Sequence, residues 1–272
     1  MTVINTNVKS LITQTALSRN SRDLSTAMHQ LSTGKRINSA ADDAAGLAIT
    51  NKMTAQIRGL NQAVRNAMDG ISMMQTAEGA TIEITNMLQR MRELAVQGAN
   101  GTNSSVNSGS LQKEFDELQL EIKRIAGNTE WNGMKVLGTE GTTYTMQIGA
   151  NDGQVLSVNF NNLTSVAAIA SAVALSTDVS DTTTLTKMDS AIAAIDDFRS
   201  DLGAKINRLE HTVDNLTNIS NNTAESRSRI LDTDYAKASS ELSRTQIIQQ
   251  AATAVLAQAN ADQQSVLKLL QG

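Results

Sequence analysis

Apolar side chains recur every three to four residues towards both ends of this chain, and the period drops to two only in the middle. Leu17, Leu24, Met28 and Leu31 keep the helical spacing until Gly34 and Asn38-Ser39 interrupt it. Asp42-Asp43, two acids suited to a helix amino terminus, predict a second helix running to about Gly98. Its seam is Met74, Ala77, Thr81, Ile84, Leu88, Met91 and Ala95. After the loop Asn100-Gly101-Thr102-Asn103, a third seam of Leu111, Phe115, Leu118, Ile122 and Ile125 is apolar at each a and d position.

Between about residues 138 and 184 the pattern alternates. Tyr144, Met146 and Ile148 are separated by Thr145 and Gln147, and Leu156, Val158 and Phe160 by Ser157 and Asn159. The turn-forming run Gly149-Ala150-Asn151-Asp152-Gly153 joins them, which predicts a β-hairpin. A loop rich in Ser, Thr, Asp and Ala follows, with one short helix expected at 166–175. Helix returns with the longest seam in the chain, Leu185, Met188, Ile192, Ile195, Leu202, Ile206, Leu209, Val213 and Leu216, interrupted once at Arg199. A last helix from about Asp234 is dominated by Ala, Gln and Ser, with Leu242, Ile248, Val255, Val266 and Leu269 as bulky anchors.

A helix from 43 to 98 is about 84 Å long at 1.5 Å per residue. A compact globule of this chain length is only about 50 Å across, so the pattern predicts an elongated antiparallel helical rod, mainly α. Gly46, Gly59, Gly70 and Gly79 lie inside that helix, each costing about 1 kcal/mol relative to Ala. The two terminal helices carry few large apolar residues, and isolated helices are marginal in water. The expectation is that they order by burying themselves in an assembly.

Composition removes several function classes. Proline is absent from 272 residues, where average usage would give roughly fourteen, so nothing blocks long helices. Cysteine is absent, which excludes disulfides, thiolate nucleophiles and Cys-ligated metals. Aromatics are 2% of the chain, too few for a broad globular core. Net charge is −4, which lends a nucleic-acid role no support, although residues 1–65 carry eight basic against three acidic side chains. No stretch approaches the roughly 20 apolar residues of a membrane span, and the amino terminus has no pattern of a cleaved signal. Composition alone therefore points to the cytoplasm.

A set of motifs changes that placement. Leu31-Ser-Thr-Gly-Lys-Arg-Ile-Asn-Ser-Ala-Ala-Asp-Asp-Ala-Ala-Gly-Leu-Ala-Ile49, Leu88-Gln-Arg-Met-Arg-Glu-Leu-Ala-Val-Gln97 and Trp131-Asn-Gly-Met-Lys-Val-Leu137 resemble the amino-terminal signatures of bacterial flagellins. Arg199-Ser-Asp-Leu-Gly-Ala204, Ser228-Arg-Ile-Leu-Asp-Thr-Asp-Tyr-Ala236, Leu242-Ser-Arg-Thr-Gln-Ile-Ile-Gln-Gln-Ala-Ala252 and Val255-Leu-Ala-Gln-Ala-Asn260 resemble the carboxy-terminal ones. The resemblance implies a structural, non-enzymatic subunit of an extracellular filament used for swimming, in a minimal form without large outer domains. It assigns 1–42 to an amino-terminal helix and spoke of an inner tube, and 43–137 to the first part of the rod. It assigns 138–184 to the hairpin and a short variable surface loop, 185–232 to the second part of the rod, and 233–272 to the carboxy-terminal helix of the tube. The alternatives are a hook–filament junction protein and, as a secondary role, a secreted innate-immune ligand.

The implied partners are further copies of the chain, filament cap and hook-associated proteins, and a flagellar export chaperone that serves type III export. Toll-like receptor 5 joins them because an arginine, a leucine and a glutamate at matching motif positions activate it in related proteins. That places a receptor or protofilament contact at Gln89, Arg90, Leu94, Gln97 and Glu114. Candidate O-glycosylation acceptors are Thr142, Thr143, Ser165, Ser171, Ser176, Thr177, Ser180, Thr182, Thr183 and Thr184. His29 and His211 are the only histidines, without the spacing of a metal site or triad, and no cofactor is expected. Asp42-Asp43 read as helix caps rather than as an acid/base pair.

Overall fold

In a computed structural model, residues 6–138, 142–160, 163, 166–174 and 177–271 are described, without the side chains of 142 and 263–271. Six helices and four strands follow in chain order among them: α1 (Val8–Thr33), α2 (Ala44–Gly98), α3 (Ser105–Asn128), β1 (Glu130–Trp131), β2 (Met134–Lys135), β3 (Thr142–Gln147), β4 (Val155–Phe160), α4 (Ala167–Ala172), α5 (Thr182–Leu231) and α6 (Tyr235–Gln271). The fold is mainly α, as the periodicity predicts, with two small antiparallel sheets. The chain divides into two compact units, one of residues 1–55 with 222–272 and one of residues 56–221.

Local chemistry sets the ends of these helices. Asn7 caps α1 by accepting from the Ser10 amide at 3.0 Å, and Ser104 caps α3 by accepting from that of Asn107. Gly34 ends α1 in the left-handed conformation, φ 69°, and donates its N–H to the Gln30 carbonyl. A side-chain carbon there would also lie 3.1 Å from the Tyr235 hydroxyl, so both backbone and space favour glycine. The expected double cap at Asp42-Asp43 divides its labour. The Asp43 carboxylate accepts from the Gly46 amide and starts α2, whereas Asp42 accepts from the amides of Asn38 and Ser39 and ties the preceding turn.

The 56–221 unit holds the main apolar core. Every member of the predicted α2 seam, including Thr81, is buried. On α3, Phe115 and Ile122 are buried, while Leu111, Leu118 and Ile125 are partly buried against the same cluster. On α5, Phe198 fills the gap that Arg199 leaves in the predicted seam. Hairpin β3–β4 pairs Tyr144 with Val158 and Met146 with Leu156, so Leu156, Val158 and Phe160 face inwards as their alternation predicts. Gly59 and Gly70 let this hairpin approach α2: a side-chain carbon would meet Ala150 at 3.1 Å and the Met146 sulfur at 2.2 Å. The Asn66 amide adds a hydrogen bond to the Gln147 carbonyl.

Two features depart from the pattern reading. Residues 130–135, within a zone of helical pattern, form the β1–β2 hairpin, with Asn132 and Gly133 at φ 49° and 76°. The signal was the Asn-Gly dipeptide, the strongest short-range mark of such a turn. The second is a pair of amides beside the α3 seam, Gln119 buried and Gln112 partly buried. Gln119 donates to the carbonyls of Ala172 and Ala174, and Gln112 bonds both the Thr177 carbonyl and the Val179 amide, which fixes the segment after α4.

Candidate assembly and recognition faces

The 1–55/222–272 unit is built around the pairing of α1 with α6. Among the described residues its buried apolar side chains are few: Ala27, Ala238 and Ala259, with Ile37 in the connector. Polar pins take the place of a core. The Asn20 amide, itself buried, donates to the Thr245 carbonyl at 2.8 Å, and the Asn7 amide donates to that of Ala259 at 3.1 Å. At the other end of α1, Lys35 forms a β-bridge with Asp232. The Arg36 guanidinium donates twice to the Ile230 carbonyl, which satisfies an otherwise orphaned group in the last turn of α5.

Large apolar side chains meanwhile remain in water. Leu11, Ile12, Met28, Ile247, Ile248 and Val255 are exposed, Ile12 at 65% and Ile247 at 66%. Leu11, Ile12 and Ile248 line a groove of about 530 Å³ whose polar members include Arg19, Asp23 and Arg244. A single exposed Leu or Ile is ordinary on a protein surface, but a contiguous apolar face marks an interaction surface.

On the other unit, the structure brings most of the expected contact residues together on α2 and α3. The Arg90 guanidinium bonds the Glu114 carboxylate at 2.8–2.9 Å and that of Glu93 at 2.9 Å. These hydrogen bonds, Glu93 first and Glu114 second, hold the Arg90 guanidinium above its ordinary pKa. Gln89 and Gln97 are exposed on α2. Leu94 corrects the expectation: at 1% exposure it is packed into the core, so its side chain does not present a contact surface. Glu93 is the missed member, legible from its i,i+3 spacing to Arg90.

The candidate glycosylation set also narrows. Thr177 and Thr184 are buried, with hydroxyls donating to the carbonyls of Ser171 and Asp178 respectively, and neither offers an oxygen to solvent. Thr143, Ser171, Ser180, Thr182 and Thr183 are exposed. Ser165, Ser176 and the side chain of Thr142 lie outside the described residues. Hydrogen bonds from Ser180 and Thr183 hold the carboxyls of Asp178 and Asp181 below the usual range. His29 and His211 are exposed on separate helices, and no group of three or more His, Asp or Glu gathers as a metal site among the described residues. None of the described helices is long and apolar enough to cross a membrane.

Long amphipathic helices and a polar-pinned pair with large apolar side chains left in water are the features of a helical protein built to assemble. The comparisons agree. Residues 4–142 match the family model of the bacterial flagellin N-terminal helical region, and residues 185–270 that of the C-terminal helical region. A flagellin of Halalkalibacterium halodurans is 46% identical over 272 residues, covering 98% of this chain and 99% of the relative. A Bacillus subtilis flagellin is 41% identical over 303 residues at the same coverage. The crystal structure of Bacillus cereus flagellin matches 56% of this chain and 88% of its own, with TM-score 0.50 and 35% identity.

The chain belongs to the bacterial flagellins, the structural, non-enzymatic subunits that polymerise into the extracellular flagellar filament. The hook–filament junction reading is not favoured.

Proposed function

We propose that polymerisation of this chain is driven by the exposed apolar faces of α1 and α6. The observation that carries this reading is the set of large side chains at Leu11, Ile12, Ile247, Ile248 and Val255 left in water on a pair whose buried apolar residues, among those described, are all alanine. Burial of apolar area is worth about 25 cal/mol per Å², and one helix pair cannot supply it on all sides. Neighbouring copies complete the burial, and the termini become fully ordered only then. The assignment of 1–42 and 233–272 to an inner tube, with 43–137 and 185–232 forming a rod around it, belongs to this reading. So do export without a cleaved signal, the export chaperone, and the cap and hook-associated proteins. In purified protein, Ile12→Ser combined with Ile247→Ser abolishes seeded filament growth by electron microscopy while leaving the far-UV melt of the 56–221 unit unchanged. Filaments of normal yield from that variant would refute the proposal.

A second reading rests on the Arg90–Glu93–Glu114 cluster. It is a surface-exposed, mutually bonded charge group flanked by Gln89 and Gln97, suited to polar recognition by Toll-like receptor 5 and to contact with a neighbouring subunit. Arg90→Ala lowers the response of receptor-bearing reporter cells by about tenfold or more, in line with loss of a charged hot spot. An unaltered dose–response curve would sink it. Sugars on Thr143, Ser171, Ser180, Thr182 or Thr183 would raise the intact mass above that of the sequence.

A further inference from the structure

We propose that a cavity in the 56–221 unit binds a soft monovalent metal ion, copper(I), through the thioethers of Met73, Met134 and Met146 beside the indole of Trp131. The cavity, of about 340 Å³, lies between α2, the β1–β2 hairpin and β3, and is lined by these four residues together with Tyr144 and Asp69. None of its lining residues is Lys, Arg or His.

Backbone geometry brings four of the lining side chains to the cavity in two pairs. The Met146 sulfur sits over α2 at Gly70, where an added carbon would lie 2.2 Å from it. Met73 is three residues on, hence on the same face of α2 one turn away, and it lines the same cavity. Met134 is the direct cross-strand partner of Trp131, which sets the third thioether and the indole on the same face of the hairpin. Hairpin docking at Gly70 brings both pairs to one cavity.

Thioether sulfur is a soft, neutral donor that selects copper(I) over hard divalent ions. Calcium and magnesium would need several oxygen ligands, and Asp69 is the single carboxylate among the lining residues. That carboxylate and the aromatic rings of Trp131 and Tyr144 complement the positive charge that neutral sulfur ligands leave unbalanced. Binding involves no change of oxidation state.

Trp131 is the only tryptophan of the chain, so its emission reports the cavity directly. Silver(I) nitrate, a redox-inert probe of the same softness, is titrated into purified full-length protein in chloride-free buffer. The expected result is saturable quenching at one equivalent. Met134→Leu and Met146→Leu are each expected to weaken binding by about tenfold or more. Substitution of the exposed thioethers, Met28→Leu and Met68→Leu, leaves the titration unchanged. Leucine conserves volume, and unchanged helical ellipticity verifies the fold. X-ray absorption of the loaded protein reads the ligands independently and is expected to show sulfur. Absence of saturable quenching, superimposable curves for wild type and the Met134→Leu/Met146→Leu double variant, or a purely oxygen and nitrogen coordination shell would each overturn the assignment.

Discussion

The two units of this chain solve the same problem, stabilising long helices, with opposite chemistry. In the 56–221 unit, Met74, Ile84, Leu88, Met91, Phe115, Ile122, Ile195 and Leu202 are almost wholly removed from water. In the 1–55/222–272 unit the buried apolar positions are nearly all alanine, buried polar groups such as Asn20 and Thr245 sit between the helices, and the bulky side chains point out. The first unit has what a self-sufficient core needs. The second has the surface of an unfinished interface, and the difference teaches that helical periodicity alone does not say where a helix finds its burial.

The comparison breaks most visibly in the packed unit. Leu88→Ala removes a fully buried side chain from the α2 seam and is expected to destabilise the monomer by about 2–5 kcal/mol. Denaturant unfolding followed by Trp131 emission measures it; a loss below that of an exposed leucine would mean that the seam is not the stabilising element. A smaller effect is expected at the joint of the other unit. Gly34→Ala forces a left-handed conformation on a Cβ-bearing residue and crowds the Tyr235 hydroxyl, costing about 1–2 kcal/mol. It accelerates amide exchange in the last turn of α1 and slows filament growth while leaving the 56–221 melt in place. A shift of that melt equal to the Leu88→Ala shift would erase the distinction between the units.

The smallest effect is a pH dependence. Hydrogen bonds from the amides of Ser39 and then Asn38 hold the Asp42 carboxyl below its ordinary value of 3.8. A group depressed in the folded state contributes stability above its unfolded value and loses it as pH falls through the folded one. The turn at 38–42 therefore loosens only in acid below about pH 3.8, with no change between pH 5 and 8. Amide exchange at Asn38 and Ser39 follows it, and Asp42→Asn removes the acid step. A transition near neutrality would assign the turn's titration to another group.

Much of this was legible before any coordinates. Every residue of the α2 seam was identified from spacing because a fully buried heptad stripe and its sequence pattern are the same information. The inward face of β4 followed from strict alternation, and the start of α6 near Asp234 from an acid whose carboxylate accepts the amides of Ala236 and Lys237. Arg90 and Glu114 were legible only through motif resemblance, since no periodicity singles out a surface charge, and Glu93 was missed although its spacing to Arg90 marked it. Leu94 was placed on that face by its motif, yet three-dimensional packing assigns it to the core. Gln112, Gln119 and Asn20 escaped notice because a polar side chain reads as solvated until its distant carbonyl is known, 53 residues away for Gln119 and Ala172. The β1–β2 turn was hidden by its brevity.

The amides of Asn7 and Asn20 have one last consequence. They meet Ala259 and Thr245, separated by nearly the same number of residues on the opposing antiparallel helix. Smooth alanine surfaces would let two such helices slide past each other at little cost, but a one-turn slip here strands both amides at once. Each molecule thus carries its own ruler, which fixes how far α1 and α6 run past each other.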